Sequence, residues 1–183
     1  MQRTMKLTFF ARARHGLLVL AASLGLVFGL SAAPVQAATP TFIYLGTVTI
    51  QAKHSEKCLE VADWSKDNGA AVRQWTCTGG DNQKWYRWGV SDDVDANYYI
   101  NVNSGRCLEI GGWATGNGAT ANQWGCHYGL NQRFYGGTGF AMDYSYSPQK
   151  CLEIADWSTQ NGAPARLWTC TYQPNQYFYI KAA

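Results

Sequence analysis

The sequence predicts an all-β fold, a β-trefoil of three repeats of about 45 residues with one disulfide in each. Three observations predict it. Six cysteines fall in pairs 19 residues apart: Cys58 and Cys77, Cys107 and Cys126, Cys151 and Cys170. The segments they bound are versions of one text, CLEVADWSKDNGAAVRQWTC, CLEIGGWATGNGATANQWGC and CLEIADWSTQNGAPARLWTC, followed in turn by NQKW, NQRF and NQYF. Apolar and polar residues alternate ahead of each first cysteine, which is the period of a half-buried strand, and self-similarity at a fixed period marks a repeat architecture.

In chain order, the first residues carry Arg3, Lys6, Arg12 and Arg14 with no acid, then an apolar stretch from Gly16 to Leu30, then small residues ending Val35-Gln36-Ala37. That order is the order of a secretory signal peptide, expected over residues 1–37 with cleavage after Ala37. A membrane anchor is the poorer reading, because fifteen residues broken by glycines and a serine fall short of the roughly 20 a spanning helix needs. The expected mature chain, 38–183, has the length of one domain. Its expected location is extracellular, where an oxidising compartment lets disulfides persist.

The repeats are expected at about 47–90, 96–138 and 139–183. Each opens on an alternating strand: Val48-Thr49-Ile50, Tyr98-Tyr99-Ile100-Asn101-Val102 and Phe140-Ala141-Met142-Asp143-Tyr144. The Cys-Leu-Glu strand follows, and an Asn-Gly turn (Asn68-Gly69, Asn117-Gly118, Asn161-Gly162) separates it from the strand ending in Trp-x-Cys. Successive first cysteines are offset by 49 and 44 residues, and the difference of five arises between Trp85 and Cys107. A surface loop from Ser91 to Asp95 is expected to absorb it. Six cysteines allow fifteen pairings, but three copies of one unit should solve the same local geometry alike, giving Cys58–Cys77, Cys107–Cys126 and Cys151–Cys170. Each bond would close a loop of about 20 residues and stabilise the fold by roughly 3 kcal/mol. Four short strands repeated three times in one closed domain leave no sheet edge exposed.

Loss of the leader's four basic residues leaves eleven Lys and Arg against twelve Asp and Glu, a balance of −1. The basic stripe of a nucleic-acid binder is missing, as is a polybasic membrane patch, so neither nucleic-acid binding nor membrane insertion is expected. Eight Trp and eleven Tyr with few long aliphatic runs argue for short aromatic strands over a helical bundle. No C-x₂-C cluster offers a metal site, and no cofactor is expected. Catalysis is not expected either. Only His54 and His127 follow the leader, neither in a repeated constellation, and each repeat offers one recurring acid where a glycosidase needs two flanking one bond.

The combination C-L-E-[VI], N-G-A, W-x-C and N-Q-x-[WF], three times in register, resembles the ricin B-chain lectins and related xylanase-attached carbohydrate-binding modules. Three Q-x-aromatic motifs mark that family: Gln83-Lys84-Trp85, Gln132-Arg133-Phe134 and Gln176-Tyr177-Phe178. The resemblance covers about Thr47 to Ile180. It implies a secreted, monomeric, non-catalytic protein that binds glycans or polysaccharides through up to three shallow sites, each built from an acid after C-L, an aromatic beside the second Cys and the Asn before Q-x-W. Carried over, these are Glu60, Trp75 and Asn82, then Glu109, Trp124 and Asn131, then Glu153, Trp168 and Asn175. The family's usual acid is Asp. Glu is longer by one carbon–carbon bond, about 1.5 Å, so either the sugar sits differently or the acid is structural.

The chemistry suits a sugar, which has vicinal hydroxyls on its rim and a patch of C–H groups on one face. A carboxylate accepts hydroxyl protons, an amide donates and accepts, and an indole covers the apolar face. Trp85, Phe134 and Phe178 are expected in the core near the pseudo-threefold axis. For Trp75, Trp124 and Trp168 two readings stand, stacking on a sugar or covering the adjacent disulfide. A second set, Trp64, Trp113 and Trp157, four residues after each Glu, is placed to widen the sites. Asp63 and Asp156 precede two of them and read as solvated loop charges, with Gly112 in their place in repeat two. Arg73 and Arg166 stand two residues before the site Trp in repeats one and three, where repeat two has Asn122, so sites one and three are expected to be alike and site two to differ. The alternative function is a β-trefoil protein-interaction module, a protease inhibitor or a toxin- or receptor-associated protein, which the fold alone does not exclude.

Overall fold

The computed structural model describes residues 41–183 apart from 92, 137–139, 145, 146 and 148; the expected signal peptide lies outside the described residues. Twelve strands run through them: β1 (Phe42–Ala52), β2 (Cys58–Val61), β3 (Val72–Trp75), β4 (Lys84–Val90), β5 (Asp93–Asn101), β6 (Cys107–Ile110), β7 (Ala121–Trp124), β8 (Phe134–Gly136), β9 (Phe140–Tyr144), β10 (Lys150–Ile154), β11 (Ala165–Thr169) and β12 (Tyr177–Ala182). Each repeat supplies four.

Antiparallel pairing links β1 to β4, β4 to β5, β5 to β8, β8 to β9, β9 to β12 and β12 back to β1. Six strands thus close a barrel, two from each repeat. The remaining strands form three hairpins, β2–β3, β6–β7 and β10–β11, in one shared register: Cys58 faces Trp75 and Glu60 faces Arg73, as Cys107 faces Trp124 and Glu109 faces Asn122, and Cys151 faces Trp168 and Glu153 faces Arg166. This is the β-trefoil the repeats predict.

Its core fills from both parts. Trp85, Phe134 and Phe178 are fully buried in the barrel, and Leu59, Leu108 and Leu152 from the hairpins meet them. The three disulfides pair as the repeats require, with Cα atoms 5.0–5.1 Å apart.

The five extra residues of the first repeat junction do not form the expected loop. Strand β5 begins at Asp93, and Val90 pairs with Asp93 across a register shift. The physical reason is a small second core, in which Val90, Ala96 and Tyr98 are buried against Trp88 and Tyr135. Burying those side chains favours a longer hairpin over a solvated loop.

The Asn-Gly turns hold the repeats to one another. Gly69 N donates to Gln123 O at 2.8 Å, Gly118 N to Leu167 O at 2.8 Å, and Gly162 N to Gln74 O at 2.9 Å, so each turn docks on the hairpin of the next repeat and the third returns to the first. Each of these glycines has a positive φ, between 83° and 88°, a conformation that costs L-residues with a Cβ roughly 1–2 kcal/mol.

Candidate functional site

Every residue of the Cys-Leu-Glu-[VI] segment is buried in β2, β6 and β10 alike. Strand alternation sends Leu59 and Val61 into the core and leaves Cys58 and Glu60 on the other face, where β3 and the 3₁₀ turn Asp81–Gln83 cover them. A buried carboxylate requires partners. Glu60 Oε2 accepts from Asn82 Nδ2 at 3.2 Å and Gln83 Nε2 at 3.1 Å, and Oε1 accepts from Arg73 Nε at 3.0 Å. Gln83 is itself fixed, donating to Thr76 O at 2.9 Å and accepting from Thr78 N at 2.7 Å.

Repeat three reproduces this set: Glu153 accepts from Asn175 at 3.3 Å, Gln176 at 3.2 Å and Arg166 at 2.9 Å. In repeat two, Asn131 at 3.4 Å and Gln132 at 3.0 Å bind Glu109 Oε2, with His127 Nε2 at 3.5 Å from the same oxygen. Asn122 replaces the arginine, and Glu109 Oε1 has no hydrogen-bond or ion-pair partner among the described residues.

The two arginines do more than pair with Glu. Arg73 Nη2 donates to Asp63 Oδ1 at 2.9 Å, and its Cζ lies 4.7 Å from the Trp75 ring centroid; Arg166 makes the same contacts with Asp156 at 2.9 Å and Trp168 at 4.4 Å. Burial works against each guanidinium charge, yet hydrogen bonds and charge attraction from the two acids outweigh it and raise the pKa above the ordinary arginine value.

These groups line three pockets at equivalent positions. Those of repeats one and three enclose about 210 Å³ and that of repeat two about 350 Å³. All nine residues carried over from the family pattern reach them: Glu60, Trp75 and Asn82 line the first, Glu109, Trp124 and Asn131 the second, Glu153, Trp168 and Asn175 the third. Their depths differ. The acids and asparagines form the buried floor, while the indoles form the walls.

The most exposed rings in pockets one and three belong to the second aromatic set, Trp64 at 54% and Trp157 at 51%. Trp75 and Trp168 are half-buried beneath their arginines. In repeat two both rings are open, Trp124 at 43% and Trp113 at 45%, the latter stacked on His127. Trp64 lies against Gly80, where an added Cβ would come within 2.8 Å of the ring, and Trp113 lies in the same way against Gly129. Asp63 and Asp156 are solvated, as expected of loop charges, and also hold their arginines.

Sequence reading missed three parts: the glutamines that anchor each acid, the ion pairs of Arg73 and Arg166, and His127 beside Glu109. The ion pairs left a signal, since Glu60 and Arg73 are equidistant from the turn of one hairpin and so face each other. Among the described residues no group of three or more His, Cys, Asp or Glu is placed to hold a metal ion, and no helix is long and apolar enough to cross a membrane.

Two overlapping family matches cover the whole described domain: ricin-type beta-trefoil lectin domain-like over residues 41–124, and ricin-type beta-trefoil lectin domain over residues 96–183. The chain belongs to the ricin-type β-trefoil lectins. It thus carries a carbohydrate-binding module of that family. Among solved structures, this lectin chain is similar to the designed threefold-symmetric protein ThreeFoil, at 28% identity and a TM-score of 0.70 over 75% of this chain and 99% of that one. It is also similar to an exo-beta-1,3-galactanase from Clostridium thermocellum, at 28% identity and a TM-score of 0.69, covering 76% of this chain and 30% of the galactanase. A curated relative, serine protease 1 of Rarobacter faecitabidus, is 47% identical over 34 residues, which are 19% of this chain and 6% of the protease. The lectin chain therefore matches only a small part of that relative's length.

Proposed function

We propose that the protein is a secreted, non-catalytic lectin that holds glycan chains through three shallow pockets, one per repeat. The observation that carries this reading is the threefold recurrence of one arrangement, an exposed indole (Trp64, Trp113, Trp157) four residues after a buried Glu that an Asn of a later 3₁₀ turn holds. A single protein-binding surface would not need three copies.

In pockets one and three the apolar face of a sugar meets Trp64 or Trp157, and its hydroxyls reach the rim of polar groups above the floor. A carboxylate has about four lone-pair positions. Glu60 and Glu153 use three of them on protein donors, so the acid chiefly orients the arginine and the asparagine, with about one acceptor position left for a hydroxyl. Pockets one and three are lined by two acids each, both engaged by an arginine, and pocket two by one, whereas Ca²⁺ takes six to eight oxygen ligands; binding is calcium-independent in this reading.

The test is a glycan array followed by titration of the best ligand, with and without chelator, and incubation with chromogenic glycosides. Binding that survives chelation, with no turnover, supports the proposal. Absence of binding to any glycan, or robust hydrolysis, overturns it.

A further inference from the structure

Repeats one and three show what the floor of this pocket prefers to hold. In both, a cation of the chain itself lies over the site indole, at 4.7 Å in repeat one and 4.4 Å in repeat three, and donates to Glu Oε1 at 3.0 and 2.9 Å. Repeat two keeps the Glu, the indole and the hairpin register but has Asn122 for the arginine and Gly112 for the aspartate. Its carboxylate remains buried, with a side-chain exposure of 5%, and Oε1 is without a partner among the described residues. His127 stands on the other side, 3.5 Å from Oε2.

We propose that the pocket of repeat two binds a sugar bearing a protonated amine, a deacetylated hexosamine, with the ammonium seated between Glu109 and the ring of Trp124. The inference rests on the reading of the pockets as sugar sites. Glu109 lacks the arginine that compensates the equally buried acids of repeats one and three, and a ligand cation at Oε1 supplies the missing charge-assisted hydrogen bond. The indole face attracts the same cation. The larger volume, about 350 Å³ against about 210 Å³ in the other two pockets, accommodates a ring that carries this group. An N-acetylated or hydroxylated sugar lacks the charge and loses both terms. In repeats one and three the arginine already holds the position, so those pockets have no such preference.

The test uses the whole protein and follows the indole N–H resonances of Trp75, Trp124 and Trp168 by NMR. Glucosamine and galactosamine, at a pH that keeps the amine protonated, are compared with glucose, galactose and their N-acetyl forms. The amines are expected to shift Trp124 at concentrations on the order of tenfold lower than the neutral sugars, and not to discriminate at Trp75 or Trp168. Asn122→Arg with Gly112→Asp, which copies repeat one, should abolish the preference. Glu109→Gln, an isosteric change, should reduce it equally. Methylguanidinium, a cation with no sugar ring, separates the two readings: it should shift Trp124 in the parent and not in the arginine variant. If neutral sugars bind and amines have no advantage, this inference fails and the lectin reading stands. If methylguanidinium alone shifts Trp124 and no sugar binds any pocket, the lectin reading fails instead. An amine preference that survives Asn122→Arg overturns the placement.

Discussion

Arg73 Nε donates to Glu60 Oε1 at 3.0 Å across the β2–β3 hairpin, and the bond joins a guanidinium with 21% of its side chain exposed to a carboxylate with 6%. The asymmetry decides what the pair contributes. The acid is already desolvated by the fold, so losing its cation leaves a buried charge supported by two amides alone. Arg73→Met, which keeps much of the packing over Trp75, is expected to destabilise the domain by about 2 kcal/mol, the cost of a charge-assisted hydrogen bond. Asp63→Ala removes only the outer bond to a solvated acid and should cost under about 1 kcal/mol. Urea denaturation of the two variants measures the difference, and equal effects would contradict the ranking.

Tyr99 gives the fold an alkaline limit. Its ring is fully buried, its hydroxyl has no hydrogen-bond partner among the described residues, and burial, partly countered by the charge of Arg87, pushes its pKa up from 10 to about 12. The folded state thus holds the proton more tightly than the unfolded state. This contribution is complete below pH 10 and is lost as pH rises through about 12, a loss on the order of 3 kcal/mol across two pKa units. Tyr99→Phe also relieves a buried unpaired hydroxyl, so it should be neutral or stabilising at pH 7 and shift alkaline unfolding to higher pH. Circular dichroism against pH reads this, and an unchanged alkaline midpoint would refute it.

Much of this architecture is legible in the sequence because it is written three times. Cysteine spacing, the Asn-Gly turns and the Q-x-aromatic residues each appear at fixed offsets, and a feature repeated in register is hard to mistake for chance. Features that break the repeat are harder to read. The polar run around Asp93 reads as a loop, and only the packing of Val90, Ala96 and Tyr98 reveals why it is strand. Glutamate in a strand reads as an accessible ligand, yet β2 is covered on both faces, so Glu60 becomes part of the floor. That cover comes from the turn around Asn82, distant in sequence and set by the fold.

The docking of each Asn-Gly turn on the next repeat predicts coupling between neighbours. Asn68 Oδ1 accepts from Gly125 N at 2.9 Å and Arg106 Nη1 at 2.6 Å, and an added Cβ on Gly69 would stand 3.7 Å from the Trp124 ring. Asn68→Ala, although in repeat one, should therefore cost about 1–2 kcal/mol of stability and weaken binding at pocket two while pocket one keeps its affinity. Chemical shifts of the Trp75 and Trp124 indoles during sugar titration separate the two pockets. A loss confined to pocket one would mean that the turn serves its own repeat.

The exposed indoles should carry binding more than stability. Trp64 and Trp157 are about half exposed, whereas Trp75 and Trp168 lie beneath arginines. Trp64→Ala and Trp157→Ala are thus expected to leave the unfolding midpoint nearly unchanged, and Trp75→Ala to lower it. A single shallow pocket is expected to bind a monosaccharide near the millimolar range, about −4 kcal/mol. Three pockets on one polymer raise the apparent affinity by roughly 10²–10⁴ through effective concentration. Removing one indole therefore takes away one site for a monosaccharide, a fractional loss of capacity, but removes one linked step for a polysaccharide, where retention should fall at least about tenfold. The checking measurement is paired titration of each folded variant with a soluble monosaccharide and with the corresponding polymer. Full polymer binding by a folded triple variant, Trp64→Ala with Trp124→Ala and Trp157→Ala, would show that these rings are not the binding surface.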